Sequence, residues 1–221
     1  MNKEDLNEYD LNKIIDVKSI ASKEKKLLKK RISALKKSFN VSPSLATILI
    51  GEDPGSVYYL KMQKKNLEKL NCGSIDFKLG RDTSEDEIIS LIKDLNSDEK
   101  VHGIMVLKPL PKGLDDEKIS TAINPEKDID GITPYNIGLL ASFNKGIVPN
   151  TVRSVHRIIK SLDIDLSGKE AVIIGRSNVL GKPLAQKLLF EDMTITICHS
   201  KTQNLRQVVK RGDFVVSAVG K

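Results

Sequence analysis

A hydroxyl, a phenol and an amide fall at Ser56, Tyr59 and Gln63. On a helix turning about 100° per residue these three share one face. The helix they would occupy, Gly55–Cys72, follows an apolar run, Leu45–Gly51, and a turn rich in glycine and proline. Polar groups gathered beyond the C-terminal end of a strand can wall a ligand cleft. The same spacing also describes an ordinary helix with a polar face. A second group lies in Gly175-Arg-Ser-Asn-Val-Leu-Gly181, directly after the apolar run Glu170–Gly175. Its glycines are too far apart for GxGxxG, and Lys182-Pro183 after the second glycine excludes a P-loop. Its chemistry is nevertheless that of phosphate binding. Glycine lets backbone approach a ligand, and a helix N-terminus offers N–H groups to an anion. A third group, Asp128 and Asp130, sits in the turn-rich loop Asn124–Gly131. Either carboxylate can be a cap or a solvated loop residue, in a loop held between Pro125 and Gly131.

The elements that must carry these groups alternate. Strands are expected at Ser44–Gly51, Ser74–Gly80 and Val101–Leu107. Helices are expected at Gly55–Cys72, Ser84–Asn96 and Asp115–Ile123. Ser84 with Glu87 forms a capping-box pattern. Asn136–Ser142 is weakly helical, and a helix starting near Val148–Thr151 reaches about Leu162. A second alternation follows, with strands Glu170–Gly175, Thr194–His199 and Asp213–Val219. Between them lie a helix with Pro183 in its first turn and another at Asn204–Arg211. Alternation of this kind implies parallel sheets with helices on their faces and ligands beyond the C-terminal strand ends. Those ends are Gly51–Ser56, Gly80–Arg81 and Leu107–Pro111 in the first unit. The second unit reads as one mononucleotide-binding half of a Rossmann sheet, with the other half absent. The boundary falls at Pro149, giving residues 1–149 and 150–221.

Ahead of all this, Leu11–Phe39 reads as one long helix. Ile20, Leu27, Leu28, Ile32, Leu35 and Phe39 form an apolar stripe among eight lysines and arginines between Lys23 and Lys37. The stripe accounts for the helix, and the basic residues read as its solvated face.

Composition narrows the function. The 221 residues are 39% hydrophobic and 29% charged, which is globular rather than disordered. A net charge of +7 suits an anionic partner. Aromatics are only 4%, which argues against a stacking platform for single-stranded nucleic acid. Cys72 and Cys198 are far apart and without CxxC spacing, as in a reducing, cytoplasmic setting. No apolar run reaches the about 18 residues of a membrane span. No signal-peptide core precedes the chain's first helix.

The nucleotide loop also indicates its cofactor. An NAD site usually places Asp or Glu near the end of the second strand, on the ribose 2′-hydroxyl. Here that strand runs into Cys198-His199-Ser200-Lys201, and Arg176 follows the first glycine of the loop. A cation and a hydroxyl in place of a carboxylate suit a 2′-phosphate, hence NADP.

With these pieces in place the chain resembles the methylenetetrahydrofolate dehydrogenase/methenyltetrahydrofolate cyclohydrolase family, from about Ile14 to its last residue. Five motifs carry the resemblance in order: Ile50-Gly-Glu-Asp-Pro-Gly-Ser-Val-Tyr-Tyr59, Val101-His-Gly-Ile-Met-Val106, Pro125-Glu-Lys-Asp-Ile-Asp-Gly131, Gly175–Pro183 and Cys198-His-Ser-Lys-Thr202. The resemblance implies a two-domain α/β fold, with an N-terminal folate-binding catalytic domain and a Rossmann-like NADP-binding domain. It implies a reduced folate, often polyglutamylated, as substrate. It implies no metal, nucleic acid or membrane, and a homodimer formed through the cofactor domain. Carried over by position, Tyr59 stacks on the folate, Ser56 supports the same wall, and Asp130 binds the pterin. Thr151, Gly175, Arg176, Ser177, Gly181 and Ser200 hold the NADP.

Three departures matter. The family's principal cyclohydrolase group is a Lys four residues after the Tyr, where this chain has Gln63. Gln has no proton to exchange at neutral pH. Lys64 and Lys61 lie about 100° and about 200° around the helix from that position. Second, the family's strand-end Gln, which assists that Lys, is Leu107 here, followed by a new cation, Lys108. Strand alternation would turn Lys108 away from the cleft if the strand extends that far. Third, the family continues past Val219-Gly220. The expected function is therefore NADP-dependent oxidation of 5,10-methylenetetrahydrofolate in one-carbon metabolism, with cyclohydrolase activity weak or lost. The alternatives are a non-catalytic folate or nucleotide binder and the full bifunctional enzyme.

Overall fold

The computed structural model describes residues 14–219. Helix α1 (Val17–Phe39) starts where the Asp16 carboxylate accepts the Ser19 N–H and stops at Asn40, whose left-handed φ of 53° breaks the turn. It starts later than the periodicity suggests. Ile14–Asp16 are not helical, and Leu11–Lys13 lie outside the described residues. Its apolar stripe also behaves differently from expectation. Only Ile32 is buried, while Leu27, Leu28, Leu35 and Phe39 remain exposed, Phe39 at 71%. Periodicity reports that a face is apolar, not that anything lies on it. The Glu24–Arg157 ion pair ties α1 to a segment far along the chain.

The first sheet has β1 (Ser44–Ile50) at its centre. Strands β2 (Gly73–Leu79) and β3 (Gly103–Val106) pair parallel on either side. Every β1 residue after Ser44 is buried, which explains its unbroken apolar run. Helices α2 (Pro54–Lys69) and α3 (Glu85–Ser97) make the crossovers, and α4 (Asp116–Thr121) follows β3. Asp53 caps α2 by accepting the Ser56 N–H at 2.8 Å, with Pro54 in the first turn. The Ser84/Glu87 capping box of α3 forms as the sequence suggests. One face of the sheet packs Ala46, Ile48, Ile104 and Val106 against Ile88, Ile92 and Ile119. The other face packs Leu45, Leu49, Met105 and Leu107 against Leu60 of α2. Truncating one of the fully buried isoleucines to Ala costs about 2–5 kcal/mol.

The acidic loop is built into this sheet. Ile104 donates its N–H to the Lys127 carbonyl, so the loop lies along the free edge of β3. Asp128 is fully buried rather than solvated. Its carboxylate accepts from the Ile132 and Thr133 N–H groups and from the Asn136 amide. Asn136 is itself buried in α5 (Pro134–Phe143). It donates to the Pro125 carbonyl and accepts the Ile147 N–H. One carboxylate and one amide thus fasten the loop, the next helix and the connection beyond it.

After α6 (Asn150–Lys160) comes a second parallel sheet. Its central strand β4 (Glu170–Ile174) lies between β5 (Thr194–Cys198) and β6 (Phe214–Ser217). Helices α7 (Gly181–Leu189) and α8 (Leu205–Val209) complete it. Val152 and Ile159 of α6 join Ala171, Ile173, Leu184 and Leu188 in its core. The fold is two α/β units in sequence, each with a parallel sheet. Among the described residues no helix is long and apolar enough to cross a membrane.

Candidate active site

A cleft of about 410 Å³ lies where the two units meet. Five of the residues singled out in the sequence line it: Ser56, Tyr59, Leu107, Asp130 and Thr151. Val179, from the loop between β4 and α7, closes the opposite side. A larger cavity of about 1150 Å³ caps the strand ends of the first sheet, at Gly51, Gly80, Arg81 and Pro109–Pro111. It is lined by residues of the first unit alone, Glu52, Asp53, Lys78 and Arg81 among them. The smaller cleft gathers Tyr59, Lys108, Asp130, Asn150 and Thr151 from both units, and it is the candidate site on that ground.

Each lining group has a local cause. Ser56 sits in the first turn of α2, buried, with its hydroxyl between Asp53 Oδ1 (2.9 Å) and the Lys108 carbonyl (3.0 Å). One hydroxyl proton serves one of these acceptors at a time. The residue therefore pins the start of α2 to the segment leaving β3. Tyr59, one turn on, is half exposed and presents its ring to the cleft. Partial burial, and then the charge of Asp130, push its phenol pKa up, so it remains a hydrogen-bond donor. Asp130 lies two residues past the buried Asp128. Its carboxyl pKa is pushed from 3.8 to about 6, first by burial and then by the charge of Asp128. The Asn150 amide, donating to Oδ1 at 3.0 Å, and the Lys108 ammonium act in the opposite direction.

Gln63 lies behind these groups, against Met105, itself a cleft-lining residue. Gln63 is not among the cleft residues. Its Oε1 accepts the hydroxyl of fully buried Thr47 at 2.9 Å, and its Nε2 meets Met105 Sδ at 3.0 Å. Rise explains this. Seven residues beyond Ser56 the helix has run about 10 Å back over the sheet, so a shared face no longer means a shared cavity. For Lys108 the condition on alternation is not met. β3 ends at Val106, the alternation stops there, and Lys108 lines the cleft while its ammonium pairs with Asp116.

The nucleotide loop depends on its two glycines. Gly175 adopts φ 126°, and a side chain there would strike the Ala218 carbonyl oxygen at 2.7 Å. A side chain at Gly181 would run into the backbone of Gly175. Ser177 Oγ accepts the N–H groups of Leu180 (3.2 Å) and Gly181 (3.5 Å), which holds the turn into α7. The Gly175 N–H donates to the Cys198 carbonyl, placing the loop beside the end of β5. Arg176 and Ser200 are both exposed at this end of the sheet. The arrangement offers backbone donors, a hydroxyl and a cation to a phosphorylated ligand, as the sequence suggests.

Sequence reasoning does not pick out Asp53, Thr47 or Asn150 as supporting residues, and it leaves Lys108 conditional on the reach of β3. The Asp53-Pro54 pair before a helix was a readable cap signal. The other three depend on contacts between distant segments.

A cleft with a carboxylate and a phenol on one side, met by the tip of a glycine-bounded nucleotide loop, defines a two-unit α/β enzyme of the nucleotide-dependent class. Comparison with known proteins agrees and is more specific. Residues 15–130 match the catalytic domain of tetrahydrofolate dehydrogenase/cyclohydrolase, and residues 149–221 match its NAD(P)-binding domain. The bifunctional protein FolD of Acetivibrio thermocellus is 44% identical over 209 residues, covering 95% of this chain and 73% of that protein. The crystal structure of FolD from Campylobacter jejuni superimposes with a TM-score of 0.90 at 37% identity, over 93% of this chain and 73% of that one. FolD of Trypanosoma brucei, solved with NADP and an inhibitor, gives 0.89 at 30% identity, over 94% and 72%. The chain belongs to the tetrahydrofolate dehydrogenase/cyclohydrolase family.

Proposed function

We propose that this chain oxidises 5,10-methylenetetrahydrofolate to the methenyl form with NADP as hydride acceptor, and that it hydrolyses the methenyl product weakly. In the redox step a hydride leaves the methylene carbon for the nicotinamide, giving NADPH and the methenyl cation. The protein's task is to hold the two molecules in register. Tyr59 offers a ring face, Asp130 a carboxylate for the pterin, and Leu107 an apolar floor. Thr151 and the Gly175–Gly181 loop face them, with Arg176, Ser177 and Ser200 toward the cofactor phosphates. The first unit, to residue 149, is read as the folate half and the remainder as the cofactor half.

The observation that carries the reading is the contrast between Gln63 and the rest. Ser56, Tyr59, Asp130 and Thr151 line one cleft, while Gln63 is held by Thr47 and Met105 and has no proton to exchange. The test is a paired assay on the same preparation. NADPH formation is expected, with methenyl hydrolysis slower by a factor on the order of 100, the usual contribution of a lost acid–base group. Hydrolysis as fast as hydride transfer would sink the split-activity reading. It would favour a bifunctional enzyme, the description its curated relatives carry. Gln63→Lys alone is expected to restore hydrolysis only in part, because Leu107 remains.

Cofactor choice has its own test. Replacing Arg176 by Ala removes a charge-assisted bond to the 2′-phosphate, an interaction of roughly 1.5–3 kcal/mol. The KM for NADP should then rise about 10- to 100-fold with little change in the KM for NAD. Equal loss for both cofactors would place Arg176 elsewhere. A reduced folate with a polyglutamate tail, a homodimer and a cytoplasmic setting complete the proposal. It includes no nucleic-acid or membrane role.

A further inference from the structure

Among the residues lining the cleft, Lys108 is the only lysine or arginine. Its backbone is anchored, since its carbonyl faces the Ser56 hydroxyl at 3.0 Å. The side chain therefore swings from a fixed point on the cleft wall. At rest it pairs with Asp116 at the start of α4, a carboxylate whose side chain is 57% exposed. An exposed pair of this kind is worth only about 0–1 kcal/mol, so it holds the ammonium loosely. On the same wall Asp130 commits Oδ1 to Asn150, and Oδ2 has no protein donor among the described residues. The charged and titratable groups around Asp130 are few. Asp128 comes from its own loop, Tyr59 and Asp53 from the α2 end of the cleft, and Lys108 from the segment after β3, while α6 supplies only the neutral Asn150. Lys108 is the one cation in that set.

We propose that Lys108 is the positioning residue that sets the charge of Asp130, its ammonium exchanging between Asp116 outside the cleft and the open oxygen of Asp130 within it. The proposal deepens the folate reading and rests on it for its consequence. A bound ring system excludes water from the cleft, which strengthens the attraction between ammonium and carboxylate several-fold. Asp130 is then ionised and can accept N–H groups from the pterin edge; a protonated Asp130 accepts them less well. Lys108 acts through Asp130 and does not itself touch the reacting carbon.

The experiment uses the full chain with carbon-13 labelled aspartate, following the Asp130 carboxyl by NMR titration. Wild type, Lys108→Met, Lys108→Arg and Asp116→Asn are compared, without ligand and with tetrahydrofolate. Without ligand, Lys108→Met is expected to raise the Asp130 midpoint by about half a pH unit or more, and Asp116→Asn to lower it by a similar amount. Lys108→Arg should titrate like wild type. Midpoints for Lys108→Met and Asp116→Asn that coincide with wild type would overturn the proposal. With folate turnover, the acid limb of kcat/KM should move by the same offsets. A limb that stays put while the NMR midpoints move overturns the positioning role. Offsets seen by NMR in a chain that binds no tetrahydrofolate leave the Lys108–Asp130 coupling standing and remove the folate reading.

Discussion

Replacing Asp130 by Asn is expected to yield a more stable protein that has lost most of its turnover. The carboxyl pKa is about 6 in the folded chain against 3.8 for the free side chain. A folded-state value above the unfolded one means that folding favours the protonated form. The associated stabilisation is complete below about pH 3.8 and is lost as pH rises through about 6. At neutral pH the wild-type chain therefore carries an ionised, mostly buried carboxylate at a cost of about 3 kcal/mol. Asparagine keeps an oxygen for the Asn150 amide and carries no charge beside Asp128. The difference in unfolding free energy between Asp130→Asn and wild type should be near zero at pH 4. It should grow between pH 4 and 6 and reach about 3 kcal/mol at pH 7. Turnover should fall on the order of 100-fold because the variant cannot offer an anionic acceptor to the substrate ring. Denaturant unfolding across that pH range measures the first effect and NADPH formation the second. A variant less stable than wild type at pH 7 would count against the burial argument.

The adjacent position should respond with the opposite sign. Gly131 adopts φ +63°, and a side chain there would meet backbone on every side: the Ile147 carbonyl oxygen, the Val148 carbonyl carbon and the Pro149 nitrogen. None of these atoms can rotate aside. Gly131→Ala combines the left-handed penalty of about 1 kcal/mol with a displaced chain crossing, and a total loss of about 3 kcal/mol or more is expected. Gly113→Ala is the control. Its φ is also positive, at +99°, but nothing lies within 4 Å of a built side chain. It should cost only the backbone term, about 1 kcal/mol. Thermal unfolding of the three proteins separates crowding from conformation. Equal losses for the two variants would mean that the crossing gives way.

Much of this was legible from residue order. β1, β2, α3 and the β4–α7–β5 unit lie within a residue or two of where patterning and caps put them, because burial and capping are local signals. Ser56, Tyr59 and Asp130 were readable as one cleft only through the motifs they belong to. What escaped was set by distance. Gln63 shares a helix face with Ser56, yet the helix rise carries it over Thr47 and Met105. Alternation places Lys108 only if β3 reaches it; the strand stops at Val106, and alternation carries no information beyond its last paired residue. Asp128 looked like any loop carboxylate, and only the folded chain shows three donors converging on it. The α1 stripe accounts for the helix, but a periodic sequence does not record what covers it.

The Asn136 side chain reaches the Pro125 carbonyl, the Asp128 carboxylate and the Ile147 N–H at once, and Gly131 lies flush against 147–149. By composition that stretch is a connector, and connectors are where domains are expected to swing. Here it is clamped to the first unit. Any swing of the second unit would therefore pivot past the clamp, at the opening turn of α6. Asn150 and Thr151 sit in that turn and also line the cleft, so such a joint and the cleft wall would share the same residues.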